Sequence, residues 1–222
     1  MALAGCKGGG SDERERASPA PSPAGGDRRA AVVFLGDSLT AGLGLSADEA
    51  VPARIAARID AARLPLRVVN GGRSGDTSAG GLARLAWYLR GEVGMAALVV
   101  NLGSNDALRG LPLAELENNL TTIVTRAKAA APAAPVFLVQ LETFPNLGGE
   151  FTDAYRAIFP RVAQATGAVL VPFPLREVEL DPALVQPDGV HPNAAGAEKI
   201  AEAMWPTLEP VLRGIAPAAH QQ

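Results

Sequence analysis

Downstream of residue 30 the chain alternates short, nearly continuous apolar runs with longer segments whose apolar residues recur every three or four positions. The runs at 31–35, 66–70, 97–101, 135–141 and 168–172 are dominated by Val, Leu and Ala. Uninterrupted apolarity of this kind predicts strands buried on both faces. Between them, Leu82, Leu85, Ala86 and Leu89 fall at helical spacing, as do Leu113, Leu116, Leu120, Ile123, Val124 and Ala127. Phe151, Ala154, Tyr155, Ile158 and Val162 mark another helix, and Ala197, Ile200, Ala201 and Met204 a last one, expected to end before Pro206. A further helix is predicted over 51–62, with Pro52 tolerated because it falls in the first turn. Strand and helix alternating in this way predict an α/β chain: a three-layer α/β/α sandwich around a five-stranded parallel sheet, with right-handed crossovers.

The pattern fails before residue 30. Glycine clusters, Ser-Pro repeats and mixed charge there cannot bury enough surface to offset ordering entropy, so 1–30 reads as a terminal segment plus disordered linker. The ordered domain is expected over 31–213, with 214–222 a disordered tail. Near the start, Leu3-Ala4-Gly5-Cys6 resembles the lipobox at which bacterial lipoproteins are cleaved and acylated. It makes Cys6 a candidate lipidation site and the periplasm or cell envelope the expected location. The net charge of -3 supplies no basic field for nucleic acid, and a single cysteine excludes an internal disulfide. No spacing of His or Cys suggests a metal, no cofactor is expected, and the chain is expected to be a monomer.

Chemistry enters at two islands. Gly36-Asp37-Ser38-Leu39 follows the first strand, and Asp188-Gly189-Val190-His191-Pro192 precedes the last helix. A serine hydroxyl is a weak nucleophile at neutral pH; it needs an imidazole to take its proton and a carboxylate to fix the imidazole's tautomer. Ligands of open parallel sheets bind beyond the carboxyl ends of the strands. Ser38, Gly75 with Asp76, Asn105 and His191 follow the first, second, third and fifth strands, so they are expected at one edge. Asp188 reaches His191 only if the loop folds back, and Gln186-Pro187-Asp188-Gly189 carries the chemistry of such a turn. Each residue also has a structural reading. Ser38 suits a helix cap, Asp188 a turn carboxylate, Asn105 and Asp106 an Asx turn, and Asn193 the cap of the final helix. Asp37 reads as a hydrogen-bonding partner and not a reactant. Arg73, Arg84 and Arg109 read as solvated or rim groups, and Trp87, Tyr88, Phe137 and Phe159 as core.

Four blocks in order resemble those of the SGNH, or GDSL, hydrolases: Gly36-Asp37-Ser38-Leu39, Ser74-Gly75-Asp76-Thr77, Gly103-Ser104-Asn105-Asp106 and Asp188 to Asn193. Within that family, Gly81 to Leu85 and the stretch from Pro172 to Pro182 are similar to the thioesterase, arylesterase and lysophospholipase branch. The resemblance implies a flavodoxin-like topology and a serine esterase acting on small acyl esters and thioesters. It implies Ser38 as nucleophile, His191 as base, Asp188 as its partner, and an oxyanion hole from the Ser38 and Gly75 N–H groups and the Asn105 amide. A tetrahedral intermediate needs such donors where charge develops. Substrate contacts are expected from Leu43, Ala107, Leu108, Arg109, Phe144, Pro145 and Asn146, with 107–112 and 144–149 forming a rearrangeable wall. Gly71-Gly72-Arg73 departs from the family pattern and suggests a mobile, more positive rim. A carbohydrate O-acetylesterase or an acyltransferase would share these motifs. A non-catalytic flavodoxin-like binding domain would share the strand-helix pattern but would not need His191 or the Asn105 amide.

Overall fold

A computed structural model describes residues 27–143 and 147–215. Cys6 therefore lies outside the described residues, as do Phe144, Pro145 and Asn146. Five strands, β1 (Ala30–Gly36), β2 (Leu66–Gly72), β3 (Met95–Asn101), β4 (Val136–Val139) and β5 (Val169–Val171), form one sheet in the order β2-β1-β3-β4-β5. All neighbours are parallel. β1 lies between β2 and β3 and pairs Gly36 with both Gly72 of β2 and Asn101 of β3, so three strands end level with one another. The chain reverses direction across the sheet between β1 and β3, and a crevice opens at the carboxyl ends there.

Crossovers that run to either side of β1 put the helices on both faces. Helix α2 (Val51–Ala61), which links β1 to β2, packs on α8 (Ala194–Arg213); α3 (Ser78–Tyr88), α5 (Leu113–Ala130) and α6 (Gly149–Thr166) pack side by side on the opposite face. This is why the strands carry apolar residues on both sides: Val32, Val33, Leu98, Val99, Val100, Phe137 and Leu138 are all buried. Three short helices escape a reading based on long stripes: α1 (Ser38–Ala41), α4 (Ser104–Leu108) and α7 (Leu175–Glu179). No described helix is long and apolar enough to cross a membrane.

The last helix does not stop before Pro206. It runs through Pro206 and Pro210 to Arg213, because Leu208 and Leu212 continue the buried stripe. Both prolines lie on its exposed side, where the carbonyl that loses its partner can turn to water. Pro160 inside α6 is handled differently: the Arg156 carbonyl, one turn earlier, accepts a hydrogen bond from Gln140 Nε2 at 3.2 Å.

Gly71 and Gly72 are not a loose rim. They are the paired end of β2, and a Cβ built on Gly72 would lie 2.1 Å from the backbone nitrogen of Ala41 in α1. A Cβ on Gly71 would meet the Tyr88 hydroxyl and the Phe34 carbonyl, at 2.6 and 2.7 Å. These glycines let α1 lie against the sheet. Arg73 alone fits the positive-rim expectation, its side chain being 55% exposed. Gly72→Ala is expected to cost about 3 kcal/mol in urea unfolding, near the top of the overpacking range; a neutral effect would contradict the close approach.

Candidate active site

β1 ends in Gly36, and a one-turn helix begins immediately. Asp37 is the cap: its buried carboxylate accepts from the Leu39 N–H at 3.0 Å, leaving Ser38 as the first residue of α1. Gly42, with φ of 76°, stops the helix after one turn. The cap reading considered for Ser38 thus belongs to its neighbour, and the Ser38 hydroxyl faces the crevice.

Opposite it stands His191. Gly189, at φ of 68°, reverses the chain, and Gln186 donates its N–H to the His191 carbonyl at 2.8 Å. The Asp188 carboxylate then accepts from the backbone N–H groups of Val190 and His191, at 2.9 and 3.0 Å, and lies 2.6 Å from His191 Nδ1. Those two backbone donors, with the imidazole, pull the Asp188 carboxyl down to about 2. Ionised, it can only accept, so Nδ1 carries the proton and the Nε2 lone pair points outward. Nε2 lies 3.0 Å from Ser38 Oγ.

Two further loops complete the edge. After β2, Gly75 adopts φ of 80°, and its carbonyl accepts from Arg109 Nη2 at 2.7 Å. After β3, Asn105 on α4 directs its amide into the crevice; Nδ2 donates to the Asp76 carbonyl at 3.0 Å and to Asp37 Oδ2 at 3.3 Å. Burial pushes the Asp37 carboxyl up to about 6, against the pull of its hydrogen bonds from Leu39 and Asn105. Ser38, Gly75, Asn105 and His191 line one cavity of about 250 Å³.

Of the expected substrate contacts, Leu43 and Leu108 line this cavity. Ala107 does not: it is 4% exposed and packed in the core. Arg109 sits at the rim, held by Gly75. Residues 107 and 108 belong to helix α4, and the Gly110 and Leu111 N–H groups bond back to Ala107 and Asp106, so this stretch is built as a turn. Glu142 and Thr143 after β4, the start of the stretch in which the sequence places acyl contacts, also line the cavity, and so do Leu175 and Glu179, one turn apart on α7, for which the sequence carries no such expectation. The i, i+4 pairing of Leu175 with Glu179 is a helix signal, but a five-residue helix is too short for periodicity to establish.

The bracing of the site also departs from the sequence expectation. Asp106 does not make an Asx turn; its carboxylate takes the Ser78 N–H at 2.8 Å and the Ser78 hydroxyl at 2.5 Å, pinning the start of α3 just beyond Gly75. Gln186 Nε2 ties Pro192 to the Leu43 carbonyl, at 2.9 and 2.7 Å, linking the histidine loop to the segment after α1. Arg84 is not a solvated residue. With 19% of its side chain exposed, it holds Asp76 Oδ2 at 2.7 Å, the Gly71 and Gly36 carbonyls at 3.0 and 3.3 Å, and the Tyr88 hydroxyl at 3.1 Å. Its spacing from Gly81 and Tyr88, both buried on α3, was the signal available for this placement. Asn193 caps α8 as expected, its Oδ1 accepting from Ala195 and Gly196. Among the described residues, no group of three or more His, Cys, Asp or Glu side chains is arranged to hold a metal.

Comparison with known proteins gives concordant matches. A family model described as the GDSL-like Lipase/Acylhydrolase family matches residues 34–199. "Esterase TesA" of Pseudomonas aeruginosa is 39% identical over 181 residues, covering 82% of this chain and 89% of the relative. "Thioesterase 1/protease 1/lysophospholipase L1" of Escherichia coli K12 is 39% identical over 181 residues, covering 82% and 84%. Among solved structures, the psychrotrophic esterase EstA from Pseudoalteromonas sp., inhibited by monoethylphosphonate, is similar with a TM-score of 0.76 and 29% identity. That likeness covers 82% of this chain and 98% of the other.

The ion pair beneath Gly75 can be tested apart from chemistry. Arg84→Ala or Asp76→Asn alone is expected to cost about 3 kcal/mol in urea unfolding, because each strands a mostly buried partner. The double variant should cost clearly less than the sum of the two. Strict additivity would show that the pair is not coupled.

Proposed function

The chain belongs to the GDSL-like lipase/acylhydrolase family and is a serine hydrolase of acyl esters and thioesters, and from that premise we propose how its residues share the reaction. Ser38 Oγ attacks the acyl carbonyl carbon while His191 Nε2 takes the hydroxyl proton; Asp188 holds the imidazole's tautomer and stabilises the imidazolium. The carbonyl oxygen becomes an oxyanion that receives the Ser38 and Gly75 backbone N–H groups and the Asn105 amide. For this the amide exchanges its longer contact, to Asp37, for the substrate oxygen. Collapse of the tetrahedral intermediate breaks the bond to the alkoxide or thiolate, which leaves with the proton from His191. Water then attacks the acyl-Ser38 ester, giving its proton to Nε2, and the second collapse returns that proton to Ser38 as the carboxylic acid departs.

The observation that carries this reading is the contact line from Asp188 through His191 to Ser38, with 2.6 and 3.0 Å steps, opening on a cavity that also holds Gly75 and Asn105. A cavity of about 250 Å³, walled in part by Leu43, Leu108, Leu175 and Val190, favours short to medium acyl chains. We also propose a monomer at the bacterial cell envelope, anchored through lipid on Cys6. Support for the anchor is the Leu3-Ala4-Gly5-Cys6 motif and the Gly/Ser/Pro-rich stretch after it.

The test is turnover of p-nitrophenyl esters and acyl thioesters over a range of chain lengths. Ser38→Ala and His191→Ala are each expected to lose at least about 10,000-fold in kcat, and the double variant little more, since the residues act as a unit. Near-normal turnover by His191→Ala would remove it as the base.

A further inference from the structure

One carboxylate of the cavity has no role in the mechanism above. Glu179, the last residue of α7, is half-buried and lines the same cavity as Ser38 and His191. Among the described residues its carboxylate makes no ion pair within 4.0 Å. It accepts no hydrogen bond there either. Removing a carboxylate from water without a compensating donor is costly, and burial accordingly pushes the Glu179 carboxyl up to about 7. The second acid of the cavity, Glu142, differs in having Arg156 Nε at 3.5 Å. The cavity lining contains no lysine or arginine. Arg109 at the rim spends its guanidinium on the Gly75 carbonyl, and Arg73 faces Asp76 at 3.8 Å. Arg176, three residues earlier on α7, and His191 act on Glu179 through space and oppose the effect of burial, but among the described residues neither bonds it, so the acid beside the reacting atoms has no direct partner.

We propose that Glu179 is a specificity-determining residue that makes the cavity select by charge, favouring acyl groups that carry a cationic or hydrogen-bond-donating end over those that carry a carboxylate. The inference rests on the esterase reading and refines its substrate class. A cationic acyl end supplies the missing partner in a partly desolvated site, where a charge pair is worth far more than in water. Above about pH 8, where Glu179 is ionised, an anionic end meets it as a like charge. The same field acts on the carboxylate released in the second half-reaction, and so drives product out.

The test uses the full chain and three p-nitrophenyl esters of matched length: heptanoyl, 5-(trimethylammonio)pentanoyl and mono-adipoyl. At about pH 8.5, where Glu179 is ionised, the wild type is expected to show a kcat/KM at least about tenfold higher for the cationic than for the anionic ester. Glu179→Gln should bring that ratio towards one, Glu179→Lys should invert it, and Glu142→Gln should change it less than Glu179→Gln does. A wild-type ratio near one, or a ratio that Glu179→Gln leaves unchanged, would overturn the proposal. Failure of the wild type to hydrolyse even the heptanoyl ester would instead overturn the esterase reading on which it rests.

Discussion

His191 Nε2 and Ser38 Oγ meet at 3.0 Å across 153 positions of sequence, and most of the structure can be read as what keeps that contact in place. Ser38 is positioned from below: Asp37 caps α1, Gly72 lets α1 lie against β2, and Asn101 Nδ2 reaches Thr40 Oγ1 at 3.1 Å. His191 is positioned from the far side, by the Asp188 turn, an antiparallel bridge between Val185 and Pro192, and the Asn193 cap that anchors the loop to α8. Gln186 joins the two halves by bonding Leu43 and Pro192 at once. The loop ends are fixed to rigid elements, so the entropy of holding them together is spent in folding and not in the reaction.

Electrostatics divide the carboxylates near the site by environment. Asp188, fed by backbone donors, stays ionised and serves one imidazole. Asp37 is buried and held high, although two donors reach it. Asp76 is neutralised by Arg84 and lends its backbone carbonyl to Asn105. Among the described residues Glu179 lines the cavity with no ion pair or hydrogen bond, which is why it is assigned to substrate discrimination and not to support. Arg84 matters for the same reason in reverse: it binds the segments before Ser38 and around Gly75 into one frame, so the nucleophile and the oxyanion loop cannot drift independently.

Much of this was legible in the chain. Strands buried on both faces announce themselves by unbroken apolarity, and the long amphipathic helices by period, so a five-stranded parallel sheet between helical layers followed from the alternation, while the flavodoxin-like topology, seen here as the order β2-β1-β3-β4-β5, was implied by the family resemblance. Ser38, Gly75 and Asn105 each sit within four residues of a strand end, where topology gathers them, while Asp188 and His191 lie beyond α7 on a turn; their expected roles came from the four family-like blocks together with the turn chemistry of 186–189. What pattern could not see was the work of single residues in tertiary context. Gly71 and Gly72 suggest freedom in sequence and close contact in space. Arg84 looks solvated until its carbonyl partners are known. Pro206 breaks a helix by propensity, yet the burial of Leu208 and Leu212 carries α8 past it. Leu175 and Glu179 sit on a helix too short to leave a period.

The most direct test of the central claim is to react the protein with a p-nitrophenyl alkylphosphonate, digest it and locate the adduct by mass spectrometry, with and without prior removal of the His191 imidazole. A phosphonyl group should appear at Ser38 alone, at a rate that falls steeply in His191→Ala. Modification at another residue, or equal labelling of Ser38 without the imidazole, would contradict the account.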